Sequence, residues 1–198
     1  MNGSFRNAGA AALAAALCFF ATGSTGAADD VPRKAEACFV CHGPGGNSNI
    51  PTNPSIAGHP AQAIAMQLYQ FREGNRKDPQ MSPMAFSLSN ADMNELAAYF
   101  SKQKPAALSH KTAPENAALG PKLATQYHCV QCHGPRLLGQ QHIPRLAGQQ
   151  YEYLMTQLRG FKARTRSDLD GNMSSAAQDL TAKDIETLVD YISGLEAQ

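Results

Sequence analysis

The chain has 198 residues, with 17 Lys and Arg against 16 Asp and Glu, a formal net charge of +1. A balance this even is not that of a nucleic-acid binder or of a protein held to an anionic membrane, and the length allows one or two domains. Apart from a short run near the start, no segment approaches the ~20 consecutive apolar residues of a membrane span.

Residues 1–28 read as a secretory signal: Arg6 supplies the positive start, Ala8 to Ala21 a short apolar run, and Gly26-Ala27-Ala28 small residues for cleavage before Asp29. Cys18 lies in the apolar run, but Leu17 precedes it where a lipid-anchored protein has a small residue, so lipidation is not expected. Cleavage removes one basic residue and leaves 16 charges of each sign. The expected product is an exported, periplasmic protein whose remaining cysteines all lie in two short motifs.

The first motif is Cys38-Phe39-Val40-Cys41-His42, and it returns 91 residues later as Cys129-Val130-Gln131-Cys132-His133. Two thiols at this spacing can each add to a porphyrin vinyl group, and the following imidazole can reach the iron. Structural zinc also uses paired Cys-x-x-Cys knuckles, but it needs no His after each pair. A redox dithiol would sit among strands rich in Val and Ile, and disulfides give no reason for the repeated His. Two covalent haem c groups, attached at Cys38, Cys41, Cys129 and Cys132, account for all of it.

A helix of little more than two turns fits between Asp29 and Ala37. In the second copy, Leu119, Leu123 and Tyr127 predict a longer one with a single apolar face. A Gly-rich loop, Gly43 to Ser48, follows the first motif and leads to Pro54-Ser55-Ile56-Ala57-Gly58, matched 90 residues on by Pro144 to Gly148. Ile64, Leu68 and Phe71 then form a helical stripe that Leu154, Leu158 and Phe161 repeat. Ser89 with Asp92, and Thr181 with Asp184, have the spacing of capping boxes. The helices they open carry Met93, Leu96, Ala97 and Phe100, or Ile185, Leu188, Val189 and Ile192, towards a core. Tyr99 and Tyr191 are equivalent, either as core aromatics or as hydrogen-bond donors to a haem propionate. The repeat divides the chain into a domain over 29–104, a linker over 105–114 with a proline at each end, and a domain over 115–198. Domains this small need a staple or cofactor to complete a core.

A His-ligated iron has a second axial position, and a Met thioether there closes the site and raises the potential. Met81 stands seven residues before Leu88, and Met173 seven before Leu180. No other methionine pair coincides in register, and both residues are expected in loops after their histidines. The axial ligands are therefore read as His42 with Met81 and His133 with Met173. His59, His110, His128 and His142 are read as surface or packing residues. Arg72, Arg76 and Lys77, with Lys162, Arg164 and Arg166, follow equivalent helices and form either a solvated rim or partners for propionates or an acidic protein.

Through these motifs, with Met81-Ser82-Pro83-Met84 and the two final helices, the mature chain resembles cytochrome c4, the dihaem member of the class I cytochromes c. The resemblance implies an all-α fold of two tandem class I cytochrome c domains related by a pseudo-twofold axis, with the haems near the interface. It also implies that the carbonyls of Pro54 and Pro144 accept from His42 and His133, fixing each ring and its basicity. The short helix before Cys38 departs from the family. The function implied is periplasmic electron transfer between redox partners, with a terminal oxidase as one acceptor. The rivals are a dihaem subunit of a larger oxidoreductase, such as flavocytochrome c sulfide dehydrogenase, and a dihaem enzyme with a labile axial ligand.

Overall fold

The computed structural model describes residues 1–3, 33–107 and 110–197, so the expected cleavage site at Ala28, and Cys18, lie outside the described residues. Everything from Arg33 onward belongs to one compact unit. Its described residues form helices and connecting turns, with a lone bridge between Gln140 and Ile143 in place of any strand.

The first half contains α1 (Arg33–His42), α2 (Ala61–Arg72), α3 (Met81–Phe86) and α4 (Asn90–Ser101). α1 runs unbroken through the first motif, with five described helical residues ahead of Cys38. α2 packs across α4, with Ile64 in one core with Leu96, Ala97 and Phe100 and Leu68 packed against it. Phe39 extends this core through an edge-on contact with Phe100, their centroids 6.1 Å apart, and Tyr99 stacks edge-on beside it at 5.1 Å.

The second half contains α5 (Pro114–Gln126), α6 (Cys129–His133), α7 (Tyr151–Lys162), α8 (Asn172–Ala176) and α9 (Ala182–Ser193). Its leading helix stops at Gln126, and His128, in the left-handed region at φ 60°, resets the chain before α6. The apolar face of α5 differs from the expected one. Leu123 is buried and Tyr127 half-buried, but Leu119 is 43% exposed. Gly120 explains the rotation: a Cβ there would fall 2.2 Å from Cγ of Tyr191, so α5 meets α9 through the bare backbone of this glycine together with Leu123 and Ala124.

Both capping boxes form. Ser89 accepts from the Asp92 N–H and Thr181 from the Asp184 N–H, while each aspartate returns a bond to its cap residue's N–H. The leading helices add a further partner: Lys34 donates to Asp92 and the Tyr127 hydroxyl to Asp184. The segments around Met81 and Met173, expected as loops, are the short helices α3 and α8. Each is started by an aspartate that satisfies its first free amides, which a search for apolar periodicity does not detect.

The described residues of the segment expected as a linker are tied down at both ends. Asn47 bridges the Lys104 carbonyl and the Ala106 N–H, and Asp190 accepts from the Ala113 N–H, Asn116 Nδ2 and, at 2.7 Å, the ring of His110.

The halves meet through equivalent residues. Gln149 occupies the register position of His59, and the two side chains lie 3.4 Å apart. Arg76 corresponds to Arg166 and Gln67 to Gln157. Arg76 donates to both glutamines and to the Tyr153 hydroxyl, and Arg166 donates to Gln157. Residues that meet their own counterparts are the mark of a twofold relation.

Candidate haem sites

Each motif ends a helix, so its cysteines lie one turn apart and its histidine turns inward. His42 and His133 are 7% and 3% exposed. The Nδ1 of His42 lies 2.8 Å from the Pro54 carbonyl and that of His133 2.8 Å from the Pro144 carbonyl. A carbonyl can only accept, so Nδ1 carries the proton in both rings and the Nε2 lone pair is left for a metal. Burial pushes both imidazoles below their ordinary basicity, against the opposing pull of the proline carbonyls. Both rings are therefore neutral at physiological pH.

The four motif cysteines form no disulfide, three being half-buried and Cys132 exposed. Burial, and then the neighbouring Cys41, pushes the Cys38 thiol up, and burial does the same to Cys129. Neither is thus a ready thiolate of the kind a redox dithiol presents. Among the described residues no group of three or more His, Cys, Asp or Glu converges on one point, so the four cysteines do not compose a zinc site. The donor set fits a porphyrin in each half: two thiols on one helix edge, and a neutral imidazole with one nitrogen committed and the other free.

Met81 and Met173 are half-buried, each near the start of its short helix. Asp78 accepts from the Met81 N–H at 2.8 Å, and Asp168 accepts from the Met173 N–H at 2.8 Å. Ser82 and Ser174 bind back to the same aspartates, at 3.1 Å to the Asp78 N–H and 2.6 Å to the Asp168 carboxylate. These anchors escape a register search because Asp78 precedes its methionine by three residues and Asp168 by five. Of the other candidate methionines, Met93 and Met155 are core residues and Met84 is 49% exposed, whereas Met66 is half-buried like Met81 and Met173 but lies within α2.

The remaining histidines do other work. His59 is buried at the interface, where burial and then the charge of Arg145 push it down to about 3. His110 pairs with Asp190, and His128 and His142 are exposed. The six basic residues are not one rim. Arg72 donates to the Leu88 carbonyl and Lys162 to that of Gln178, while Arg76 and Arg166 are drawn into the interface and only Lys77 and Arg164 stand free of these bonds, exposed. Arg166 is pushed down to about 10, by burial and then by Arg76. Burial would raise the Tyr153 phenol, but the two guanidiniums beside it outweigh that and lower it.

The cytochrome c family profile matches residues 33–104 and again 117–196. The chain belongs to the cytochrome c family, in its dihaem cytochrome c4 form. This cytochrome is 34% identical to cytochrome c4 of Pseudomonas aeruginosa over 82% of its own length and 85% of that protein's. It is 36% identical to a thiosulfate dehydrogenase electron acceptor of Thiomonas intermedia, over 93% of its own length and 88% of the relative's. The crystal structure of reduced cytochrome c4 from Pseudomonas stutzeri superimposes with a TM-score of 0.75 at 34% identity, covering 82% of this chain and 95% of that one. The protein is accordingly a dihaem electron carrier with two covalent haem c groups, and its fold is two tandem all-α cytochrome c domains.

Proposed function

We propose that this cytochrome is an exported periplasmic carrier in which His42 and Met81 hold one iron and His133 and Met173 the other, with thioethers at Cys38 and Cys41 and at Cys129 and Cys132. A haem held in each half would supply one-electron ferric–ferrous chemistry. The chain's own contribution is to orient and restrain. Pro54 and Pro144 fix the two imidazoles, and Asp78 and Asp168 fix the backbone at the two methionines. A site restrained this way changes little on gaining or losing an electron, which suits rapid transfer.

The observation that carries this reading is the duplicated Nδ1-to-carbonyl bond, at 2.8 Å in both halves, on two histidines that each follow a Cys-x-x-Cys pair. The test is the near-infrared Met-to-iron band of the oxidised, haem-loaded protein. Met81→Ala and Met173→Ala each remove half of that band, and the double variant removes all of it. A single variant that leaves the band whole refutes the assignment for that residue. The mature chain starts near Asp29 and forms domains over 29–104 and 115–198 joined by 105–114, and the mass of the exported protein tests the start.

A second reading concerns the partner. Kinship with a thiosulfate dehydrogenase electron acceptor over nearly the whole chain favours an oxidoreductase of reduced sulfur as the donor, with a terminal oxidase downstream. Stopped-flow reduction by such a dehydrogenase with thiosulfate, compared with reduction by a flavin-containing sulfide dehydrogenase, separates this donor from the other.

A further inference from the structure

The peptide unit between Pro54 and Ser55 is gripped at both ends. Its carbonyl accepts from Nδ1 of His42 at 2.8 Å, and its N–H, which belongs to Ser55, donates to Oε1 of Gln149 at 2.8 Å. Gln149 lies in the other half, 94 residues away along the chain. Its amide cannot be turned round without loss. Oε1 also accepts from the Gln150 N–H at 2.9 Å, and Nε2 donates to the Ser55 carbonyl at 2.8 Å. The side chain is 3% exposed, so water does not compete for these bonds.

The second half lacks this arrangement. The residue in the register of Gln149 is His59, and its Nε2 turns to the Ser55 carbonyl at 3.0 Å within its own half. What crosses the interface near Pro144 is a cation: the buried guanidinium of Arg145 donates to the carbonyls of Ala57 and Ala147. The equivalent peptide units are therefore loaded differently, one by an amide oxygen and one beside a positive charge.

We propose that Gln149 is a positioning residue for the axial histidine of the opposite half, so that docking of the two halves sets the potential of the iron bound at His42 and not that of the iron at His133. A peptide whose N–H donates to a strong acceptor becomes a better acceptor at its carbonyl, since bonds in a chain polarise one another. The Pro54 carbonyl then draws harder on the Nδ1 proton of His42, and Nε2 becomes more basic. A more basic ligand favours the ferric state, so Gln149 lowers the potential of that iron.

The inference rests on His42 being the axial ligand, and the experiment separates the two. In the full-length, haem-loaded protein, Gln149→Met keeps length and burial but removes the acceptor, while Gln149→Glu keeps an acceptor at the same place. Resolved potentiometric titration, with the haems assigned by NMR, should show Gln149→Met raising the potential of the haem on Cys38 and Cys41 alone. The expected size is up to about tenfold in the ratio of reduced to oxidised protein, ~59 mV for one electron. Gln149→Glu should move the same haem the other way. Equal shifts at both haems, or none, overturn the proposal and leave Gln149 as interface packing. An unchanged axial-ligand spectrum in His42→Ala instead overturns the ligation on which it rests. Should the variants fail to fold, exchange of the Ser55 amide in the unmodified reduced protein decides: slow exchange supports the bond, and exchange at the rate of an exposed amide overturns it.

Discussion

In the first half the turn after the motif is closed by Gly46, and in the second by Leu137. Each carbonyl accepts from two successive amides, those of Ile56 and Ala57 or of Leu146 and Ala147, and so holds the loop that presents Pro54 or Pro144 to its histidine. Both residues have positive φ, 83° and 55°, which suits glycine and strains leucine. Leu137 is nonetheless 1% exposed, in the core that includes Ile192. At Gly46 a Cβ would fall 2.8 Å from Ile56 and 2.9 Å from Phe100, and Phe100 is the counterpart of Ile192. The halves thus fill one space in two ways: a bare turn beside a large ring, or a large turn residue beside a smaller aliphatic. The carbonyl fork is what the site requires, and the side chains around it are exchangeable only as a set.

The largest expected effect breaks the part the halves share. His42→Ala or His133→Ala removes the proposed axial ligand from one half and leaves the other half's in place. Optical spectra should show one ligand set lost and the other haem unchanged, and rapid transfer through the altered half should fail. If the second haem changed equally, the halves would not be independent sites on one plan.

The next test trades the packing solutions. Phe100→Ala empties the ring's place beside Gly46 and should cost about 3–5 kcal/mol in denaturant unfolding. Gly46→Leu alone must displace Ile56 and Phe100 and should also destabilise, by ~1–3 kcal/mol. Combined with Phe100→Ile it reproduces the second half's arrangement, and part of the loss should return as a coupling of about 0.5–3 kcal/mol. Strict additivity would show that the two halves are not interchangeable solutions.

Much of this plan was legible in the chain. The two Cys-x-x-Cys-His motifs, the stripes of α2, α7, α4 and α9, and both capping boxes follow from local spacing, because a helix face and a cap are decided within a few residues. What was not legible depends on the other half or on the backbone. Nothing local distinguishes Arg76 and Arg166, which enter the interface, from Lys77 and Arg164, which stay in solvent. Gln149 looks like any loop glutamine until Ser55 is set opposite it. Leu119 obeys the helical period yet is exposed, because Gly120 invites α9 closer from a different side. Asp78 and Asp168 escape because their chain distances to Met81 and Met173 differ.

A smaller effect sharpens the contrast between His59 and Gln149, one ionisable and the other not. His59 is held down to about 3 by burial, with the charge of Arg145 adding to it. In the unfolded chain it titrates near 6.5. The unfolded state therefore binds more protons between these values, so its contribution is whole above pH ~6.5 and drains away as pH falls towards 3. The slope attributable to this one group is at most ~1.4 kcal/mol per pH unit. His59→Gln, which places the second half's residue in the first, should flatten the fall in unfolding free energy over that window. An unchanged slope would remove His59 from the account of acid sensitivity.

The smallest effects separate the two capped helices. Ser89→Ala and Thr181→Ala should each cost about 1 kcal/mol through loss of the bond to the third amide. The aspartates of the boxes differ in their outer partner. Asp92 is lowered to about 2, by Lys34 first and then by Ser89, whereas Asp184 is lowered by Thr181 first, with Tyr127 assisting. Both carboxylates are lowered in the folded state, so each contribution is present above the ordinary carboxylate range and is lost as pH falls through the folded value. Salt then distinguishes them, because an exposed ammonium is screened and a neutral phenol is not. Raising ionic strength at neutral pH should speed amide exchange at the start of α4 and leave that of α9 unmoved. Lys34→Met should abolish the salt effect, and Tyr127→Phe should loosen α9 at every salt concentration. Equal salt sensitivity in the two helices would mean that Lys34 does not act through Asp92.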